Sequence, residues 1–360
     1  MKNKKNKIIF VLPGRGIYPV GGFRIVYEYA NHLSTLGMNV TLAHIACLYK
    51  SHSVIKGVLR YFYCLLYYPF SIKWFQLNMR VRNSWFFTLN SIFFPEGDFI
   101  VATSWETAEH VSSMKITGKK IYLIQGNETQ FQFVLNHQLQ ERVIKTWSSD
   151  MTKIVVSSWL ESLLRKIGQP CYKIFNGLDF SEFNLSVPIE SRSPTTIMML
   201  YHKSLGKGCS QSFAALRQLK KDYPSLIINV FGVPLRPAYL EEWFIYYQKP
   251  SRVLLKKLYN ESAIFLSASH SEGWGLPIAE AMQCGCSIIT SDIPGVMDFA
   301  ADNSIKFPVG DILAMVLGLR KLIEDDFLRI QNARLGNQSI KKFTWDKSVQ
   351  KFIEVLNKIC

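Results

Sequence analysis

Two glutamates, Glu272 and Glu280, lie eight positions apart on either side of a glycine-containing turn. An apolar run leads into the turn, and Pro277 suits the first turn of a helix that we expect to begin beside it. Such a turn directs backbone N–H groups towards one point at a helix N-terminus, which is how proteins hold phosphate or sugar oxygens. The two carboxylates can accept hydrogen bonds from hydroxyl groups of one ligand. The amides concerned belong to Gly273, Trp274, Gly275 and Leu276.

The segment from Glu272 to Gly285, EGWGLPIAEAMQCG, resembles the E-x7-E signature of retaining glycosyltransferase family 4, whose members have the GT-B fold. Further segments resemble that family in the same order along the chain: Gly21-Gly22, the NGLD at 176–179, Lys207-Gly208, the FPVGD at 307–311 and the FTW at 343–345. The resemblance implies that Glu280 holds the ribose of a nucleotide-diphosphate sugar and that Glu272 lies against the transferred sugar. It also implies that the intervening amides contact the sugar and the diphosphate.

Glycosyl transfer must stabilise a departing diphosphate, either with a divalent metal or with fixed cations and helix dipoles. The sequence has no Asp-x-Asp metal motif, so we expect a metal-independent site that needs no cofactor. Lys207 is the obvious cation, and Gly208 would permit close approach of the next helix. The family usually has an arginine five residues before this lysine. Here that position is His202, followed by Lys203, and either could supply the second phosphate contact.

Candidates in the N-terminal half depend on the same resemblance. Gly21 and Gly22 follow the first predicted strand, where the family brings the backbone close to the donor diphosphate and the acceptor. Many members place a histidine after the strand that is here 121–124. This chain has Gln125, Asn127 and Glu128 there instead, and we expect them on the acceptor side.

The wider sequence predicts an α/β protein with two Rossmann-like domains, and the GT-B resemblance implies that their parallel sheets face a central cleft. Short apolar runs, several of them β-branched, alternate with amphipathic segments, as in parallel sheets. The runs that we expect to be strands are 8–12, 39–44, 99–102, 120–124, 152–156, 172–175, 195–200, 226–231, 263–266 and 287–290. Apolar residues make up 48% of the 360 residues, enough for two cores. A polar, proline-bearing stretch without periodicity marks a linker. We therefore predict a first domain (1–180), a linker (181–194) and a second domain (195–340). The resemblance implies that the first domain is on the acceptor side, that the second binds the nucleotide sugar, and that a final helix (341–360) crosses back to the first domain.

The chain carries 42 Lys and Arg against 27 acids, a net charge of +15, which suits an anionic partner. Residues 50–95 have six basic residues, no acids and thirteen aromatics. This composition fits either an anionic membrane interface or aromatic core with solvated basic side chains. The seven cysteines have no CxxC or zinc spacing, which indicates thiols in a reducing cytosol. Neither a signal peptide nor a membrane-spanning stretch is predicted.

The resemblance implies a retaining glycosyltransferase of the hexosyltransferase type. Together with the basic, aromatic N-terminal half, it predicts a glycan or lipid-linked acceptor, typical of bacterial O-antigen or capsule synthesis. We expect it in the cytoplasm, peripheral to the inner face of the plasma membrane. One alternative is a catalytically silent GT-B protein that binds nucleotide sugars. A nucleic-acid-binding protein is the other, but the charge comes without a recognisable nucleic-acid-binding motif, so no nucleic acid is expected. The nucleotide base, sugar, acceptor, linkage and oligomeric state stay open.

Overall fold

The computed structural model describes residues 6–14, 16, 19–46, 48, 62, 74–89, 94–130 and 136–360. The chain divides into two compact units. The first comprises residues 1–176 with 345–360, and the second comprises residues 177–344.

The described part of the first unit contains a parallel sheet with helices between its strands. Its strands are β1 (Lys7–Pro13), β2 (Asn39–Ile45), β3 (Arg82–Phe86), β4 (Phe99–Ala102), β5 (Lys119–Ile124), β6 (Thr152–Val155) and β7 (Tyr172–Lys173). Its helices before residue 176 are α1 (Gly21–Thr35), α2 (Trp105–Ser113), α3 (His137–Trp147) and α4 (Ser158–Lys166). The strand order is β3-β2-β1-β4-β5-β6-β7, and every pair is parallel.

Burial and capping explain these elements. Residues 8–12 of β1 are at most 2% exposed, as expected for a central strand covered on both faces. Helix α2 begins with a capping box in which the Ser104 side chain accepts from the Thr107 amide. The hydroxyl of Ser157 caps α4 in the same way, by accepting from the Leu160 amide.

The second unit repeats this architecture. Its strands are β8 (Thr196–Tyr201), β9 (Ile227–Gly232), β10 (Phe244–Gln248), β11 (Ile264–Ser267), β12 (Ser287–Ser291) and β13 (Ser304–Phe307). Its helices are α5 (Cys209–Asp222), α6 (Arg252–Glu261), α7 (Leu276–Gln283), α8 (Met297–Ala300), α9 (Ile312–Glu324) and α10 (Asp326–Ile340). The strand order is β10-β9-β8-β11-β12-β13, again all parallel. The two sheets confirm the predicted α/β class with two Rossmann-like domains.

The last helix, α11 (Trp345–Ile359), belongs to the first unit. The ring of Phe352 stacks 6.1 Å from that of Phe10 on β1, and Trp345 meets Tyr29 of α1 edge-on at 5.2 Å. A buried stripe on one face of α11 therefore completes the core of the unit that contains the start of the chain.

Residues 181–194, predicted to be a linker, lie within the second unit, whose boundary is at 176/177. The side-chain carbonyl of Asn260 accepts from the amides of Ser186 and Val187 at 2.7 and 3.2 Å. The buried guanidinium of Arg192 donates to the carbonyl of Cys284 at 2.6 Å. The stretch lacks periodicity because polar side chains, rather than a helix or strand, satisfy its backbone.

The basic and aromatic segment 50–95 is described in part, because residues 50–61, 63–73 and 90–93 lie outside the described residues. Trp74 and Phe75 pack against Tyr27 with ring centroids 5.5 and 5.4 Å apart. Trp85 is buried and stacks on His44 at 4.7 Å. Trp85 therefore belongs to the core of the first unit, and the half-buried Trp74 and Phe75 pack against its Tyr27. Of the helices that are described, none is long and apolar enough to cross a bilayer.

Candidate active site

The strand order of the second unit indicates where a ligand should bind. The chain leaves β8 towards β9 on one side and later returns to β11 on the other side of β8. In such doubly wound sheets, ligands bind outside the carboxyl ends of the strands at this reversal. Lys207 follows β8, and Glu272 follows β11, so the structure brings the two predicted catalytic residues to the reversal point.

Two close backbone approaches join the loops that carry these residues. The amide of His270 donates to the carbonyl of Gly206 at 2.8 Å. Gly208 has φ +61°, and a Cβ atom there would lie 2.0 Å from the carbonyl oxygen of Ala268. Only glycine fits this position, which explains the Lys-Gly pair: Gly208 lets the loop after β11 approach the start of α5.

Lys207 and Glu272 form an ion pair with Nζ and Oε1 2.6 Å apart. Their side chains are 28% and 14% exposed, so both remain accessible from one side. The hydroxyl of Ser269 donates to the same Glu272 oxygen at 2.8 Å. The three residues line a small cavity of about 20 Å³, together with Ser212 and Pro277. A fixed cation and a fixed carboxylate therefore lie side by side at the carboxyl edge of the sheet.

His202 is at the position where the related family has an arginine. Its Nδ1 accepts a hydrogen bond from the Ser204 amide at 3.0 Å, which assigns the proton of the neutral ring to Nε2. Burial and then the charge of Lys207 lower the pKa of His202 below its ordinary value of 6.5. At neutral pH the residue therefore offers a neutral N–H donor and not a second cation. The neighbouring Lys203 is exposed.

The Gly-Trp-Gly turn is held by packing on both sides. Gly275 has φ +89° and immediately precedes α7, in which the first intrahelical bond runs from the Ile278 amide to the Gly275 carbonyl. The Trp274 ring is buried against Phe299 at 4.9 Å and Phe343 at 5.5 Å, so its side chain anchors the turn. The backbone from Gly273 to Leu276 thus forms a rigid helix N-terminus beside Glu272.

Gly295, in the loop after β12, supports this turn from outside. A Cβ atom on Gly295 would lie only 1.8 Å from the carbonyl oxygen of Glu272. The backbone of Glu272 is therefore pressed against a position that only glycine can occupy.

Glu280 is in α7, where it is 6% exposed. Its Oε1 accepts from Arg252 at 3.3 Å, and its Oε2 accepts from the hydroxyl of Tyr259 at 3.2 Å. Burial, and then the charge of Glu280, hold the pKa of Tyr259 well above its ordinary value, so the phenol stays a donor.

The candidates of the first unit form a separate group. Helix α1 begins at Gly21, and a Cβ on Gly22 would lie 3.6 Å from Nε2 of Gln125. Gly22 and Gln125 therefore adjoin one another. The side-chain oxygen of Asn127 is bound locally by the amide and hydroxyl of Thr129.

Glu128 is enclosed rather than presented to an acceptor, since it is 5% exposed. It accepts from the Trp105 amide at 2.9 Å and from the Tyr122 hydroxyl. Burial raises the pKa of Glu128 to about 8. The residue thus holds the start of α2 to the loop after β5, and its contacts are structural.

Sequence reasoning missed three supporting residues: Ser269, Gly295 and Arg252. Ser269 and Gly295 both lie within or beside the motif segment, at the ends of strands, and that placement was an available signal. Arg252 lies 28 positions from Glu280 in a polar stretch, and nothing in the sequence pairs them. Elsewhere in the described chain, no group of three or more histidine, cysteine or acidic side chains is arranged to hold a metal.

Comparisons with known proteins agree with this geometry. Residues 189–342 match the family model described as glycosyl transferases group 1. The O-antigen chain mannosyltransferase B of Escherichia coli is 29% identical over 92 residues, which is 26% of this chain and 24% of that relative. The chain thus spans about a quarter of that relative's length.

Two solved structures cover nearly the whole chain. Sucrose-phosphate synthase from Thermosynechococcus elongatus aligns with a TM-score of 0.78 at 12% identity, covering 99% of both chains. Anabaena HepE in complex with UDP-glucose aligns with a TM-score of 0.74 at 15% identity, covering 98% of this chain and 100% of the other. The chain therefore has the GT-B fold, as predicted, and the family match supports a glycosyltransferase of that fold.

Proposed function

We propose that this protein is a retaining glycosyltransferase that moves a sugar from a nucleotide-diphosphate sugar to a hydroxyl of a glycan or lipid-linked acceptor. The observation that carries the proposal is the Lys207–Glu272 ion pair at the strand-order reversal, beside a glycine-rich helix N-terminus. A diphosphate needs a cation and amide donors, and a sugar needs a carboxylate. Both requirements are met within one short stretch of the sheet edge.

The donor would bind in three parts. Lys207, the neutral N–H of His202 and the N-terminal amides of α5 and α7 would hold the diphosphate, with Lys203 near enough in sequence to assist. Glu272 and the amides of the Gly-Trp-Gly turn would hold the sugar. Glu280 would accept hydrogen bonds from the ribose hydroxyls.

The chemical step follows from these roles. The bond between the sugar's anomeric carbon and the acceptor oxygen forms as the bond to the diphosphate oxygen breaks, on the same face of the sugar. The proton of the acceptor hydroxyl passes to the departing phosphate oxygen. Lys207 stabilises the charge that develops on the diphosphate, so no protein base is required from that side. Retention of anomeric configuration follows from attack on the face that the diphosphate leaves.

The first unit would supply the acceptor side. Gln125 is assigned to it and adjoins Gly22 at the start of α1, while Gly21 and Gly22 would also lie near the donor diphosphate. Asn127 and Glu128 would shape the loop that carries Gln125 rather than touch the acceptor.

We further propose a role in bacterial surface polysaccharide synthesis at the inner face of the plasma membrane. The resemblance to an O-antigen mannosyltransferase and the charge of +15 support it. Flotation with vesicles containing anionic lipid tests the membrane part. Binding that weakens with salt is expected, and no binding at low salt would refute it.

Thermal shift with UDP, GDP, dTDP and ADP, each with and without EDTA, tests the donor site. A ligand at 100 times its Kd stabilises by about 2.7 kcal/mol. One selective shift that EDTA leaves unchanged is expected, and no shift with any of the four would count against the site.

Turnover of the sugar nucleotide with the selected base separates an enzyme from a silent binding protein. Lys207→Ala and Glu272→Gln should each lower kcat by about 10²-fold or more. Lys257→Ala and Glu261→Gln are matched controls, because that Lys–Glu pair is exposed on α6 at 3.7 Å. Selective nucleotide binding without turnover would instead identify a catalytically silent GT-B protein. The observation that favours this alternative is the neutral His202 at the position where the family has an arginine.

A further inference from the structure

A cluster of buried and half-buried polar side chains contacts Glu280, and the proposed reaction gives this cluster no role. Its centre is Arg252, the first residue of α6, whose side chain is 34% exposed. One terminal nitrogen of this guanidinium is 3.3 Å from Oε1 of Glu280. The cluster therefore contacts the carboxylate that the proposed function assigns to the ribose.

Arg252 is itself held in place by Glu182 and Phe183. Its Nε and Nη2 atoms donate to the two carboxylate oxygens of Glu182 at 2.5 and 2.8 Å. The guanidinium carbon lies 4.1 Å from the centre of the Phe183 ring. A bidentate ion pair and a stacked ring fix the plane of a guanidinium, which lysine could not reproduce.

The single guanidinium of the cluster neutralises one of its two carboxylates, so one negative charge remains. Burial lowers the pKa of Arg252, but the carboxylates of Glu280 and Glu182 outweigh burial and raise it above its ordinary value, so the residue stays cationic. With two carboxylates and one guanidinium, the formal charge is −1. Enclosing Glu280 at 6% exposure is costly without a partner, and Arg252 offsets this cost.

The partners of Arg252 differ from those of Arg192, a buried arginine nearby. Arg192 donates to main-chain carbonyls, among them those of Ser262 and Cys284, and so closes the ends of local segments. Arg252 instead connects one carboxylate to another, and one of the two belongs to the candidate donor site. This arrangement orients a functional group rather than a segment of backbone.

We propose that Arg252, anchored by Glu182, is a positioning residue that fixes the Glu280 carboxylate for recognition of a ribose diol on the donor nucleotide. The proposal rests on the proposed function, since it assigns a support to one part of that donor site. It makes 2′-hydroxyl selectivity depend on Glu182, which lies 70 positions before Arg252 and outside every motif in the chain. It also predicts a donor with a ribonucleotide rather than a deoxyribonucleotide.

Isothermal titration with UDP, GDP and ADP, each paired with its 2′-deoxy form, tests this role. The wild type should prefer the ribonucleotide about ten- to a hundredfold, because the deoxy form loses a hydrogen bond to a charged group. The double variant Arg252→Met/Glu182→Gln keeps the formal charge of the cluster while removing the anchor. Its preference should fall to about threefold or less.

Inorganic pyrophosphate distinguishes positioning from a loss of structure. It should bind the double variant as it binds the wild type, because its contacts are Lys207 and the amides. Arg252→Lys should recover part of the ribonucleotide preference, since the charge returns without the planar fork. Arg217→Met/Glu241→Gln is the matched control, because that pair is also bidentate, at 2.6 and 3.0 Å, and should keep the full preference.

Several results would overturn the proposal. A double variant with the wild-type preference would show that Arg252 does not orient Glu280. A parallel loss of pyrophosphate and both nucleotide forms would mean a structural role only, and Glu182→Gln alone repeats the test if the double variant does not fold. A wild type that binds dTDP alone would refute ribose recognition. A wild type that binds none of these nucleotides would refute the proposed function itself, which is a separate result.

Discussion

Replacing Gly295 by alanine tests whether the loop after β12 positions the candidate site. The new Cβ would lie 1.8 Å from the carbonyl oxygen of Glu272 and 2.7 Å from its carbonyl carbon. Contacts shorter than 3.0 Å do not persist at real Cβ atoms, so one backbone must move by about 1.2 Å. Neither backbone segment can shift easily, because each lies in a short loop between packed elements.

The displacement should affect catalysis more than folding. Overpacking at such a contact costs about 1–3 kcal/mol. A misplacement of about 1 Å in a reacting geometry costs about 10²-fold in rate. The Glu272 carboxylate, 2.6 Å from Lys207, moves with its backbone, so the ion pair and the turn amides lose their alignment together.

The assay is release of nucleoside diphosphate from the sugar nucleotide that the thermal-shift panel selects, measured beside the melting temperature. We expect kcat/KM to fall by about 10²-fold while the protein stays folded at 25 °C. Gly336→Ala in α10 is the control, because the nearest atom to its Cβ would be the flexible end of Met282 at 3.3 Å and the other neighbours lie at 3.7 Å or more. Alanine gains about 0.5–1 kcal/mol of helix propensity there. A Gly295→Ala variant with activity within threefold of the wild type would refute the argument.

Three further predictions concern single side chains. His202→Arg should tighten binding of the sugar nucleotide about tenfold at pH 7.5, because a charged fork replaces a neutral N–H, and unchanged affinity by calorimetry would exclude a diphosphate contact. Ser269→Ala should lower kcat about tenfold with little change in melting temperature, since it removes the 2.8 Å hydrogen bond that orients Glu272; an unaltered kcat would contradict this. In the folded wild type the raised pKa of Glu128 favours the protonated carboxyl, and the stability that this gives is lost as pH rises from about 4.5 through about 8. Glutamine does not titrate, so Glu128→Gln should gain stability relative to the wild type over that range, by at most about 4 kcal/mol. Urea unfolding at pH 5.5 and 8 measures the last effect, and an equal difference at both values would contradict the buried-acid assignment.

The sequence predicted the central strands well because they are buried on both faces. The runs at 99–102, 152–156 and 195–200 correspond to β4, β6 and β8 within one residue at either end. The three strands that the apolar pattern missed are β3, β10 and β13, and each lies at the outer edge of its sheet. An edge strand is partly exposed, so its polar residues hide the apolar run on which the prediction depends.

The candidate site likewise contains residues that the sequence predicts and features that only the tertiary structure reveals. Lys207, Gly208 and Glu272 were predictable because each lies in a motif with glycine, and the structure brings them together at the sheet reversal. The state of His202 was not predictable, since it depends on a hydrogen bond from the Ser204 amide and on the neighbouring lysine. The enclosure of Glu128 also depends on tertiary contacts that no local pattern reveals.

The segment 181–194 illustrates the limits of prediction for both the fold and the candidate site. Its lack of periodicity suggested a linker, yet its backbone is held by Asn260 and Arg192, two buried polar side chains that lie outside any apolar pattern. The residues that follow the 176–179 motif therefore pack beneath α6 and α7, where Glu182 reaches Arg252. Under the proposed function, a mutation of Glu182 in this stretch should therefore act on nucleotide binding through Arg252 and Glu280. Polar composition thus marks a chain segment as irregular, but burial decides whether it is structural.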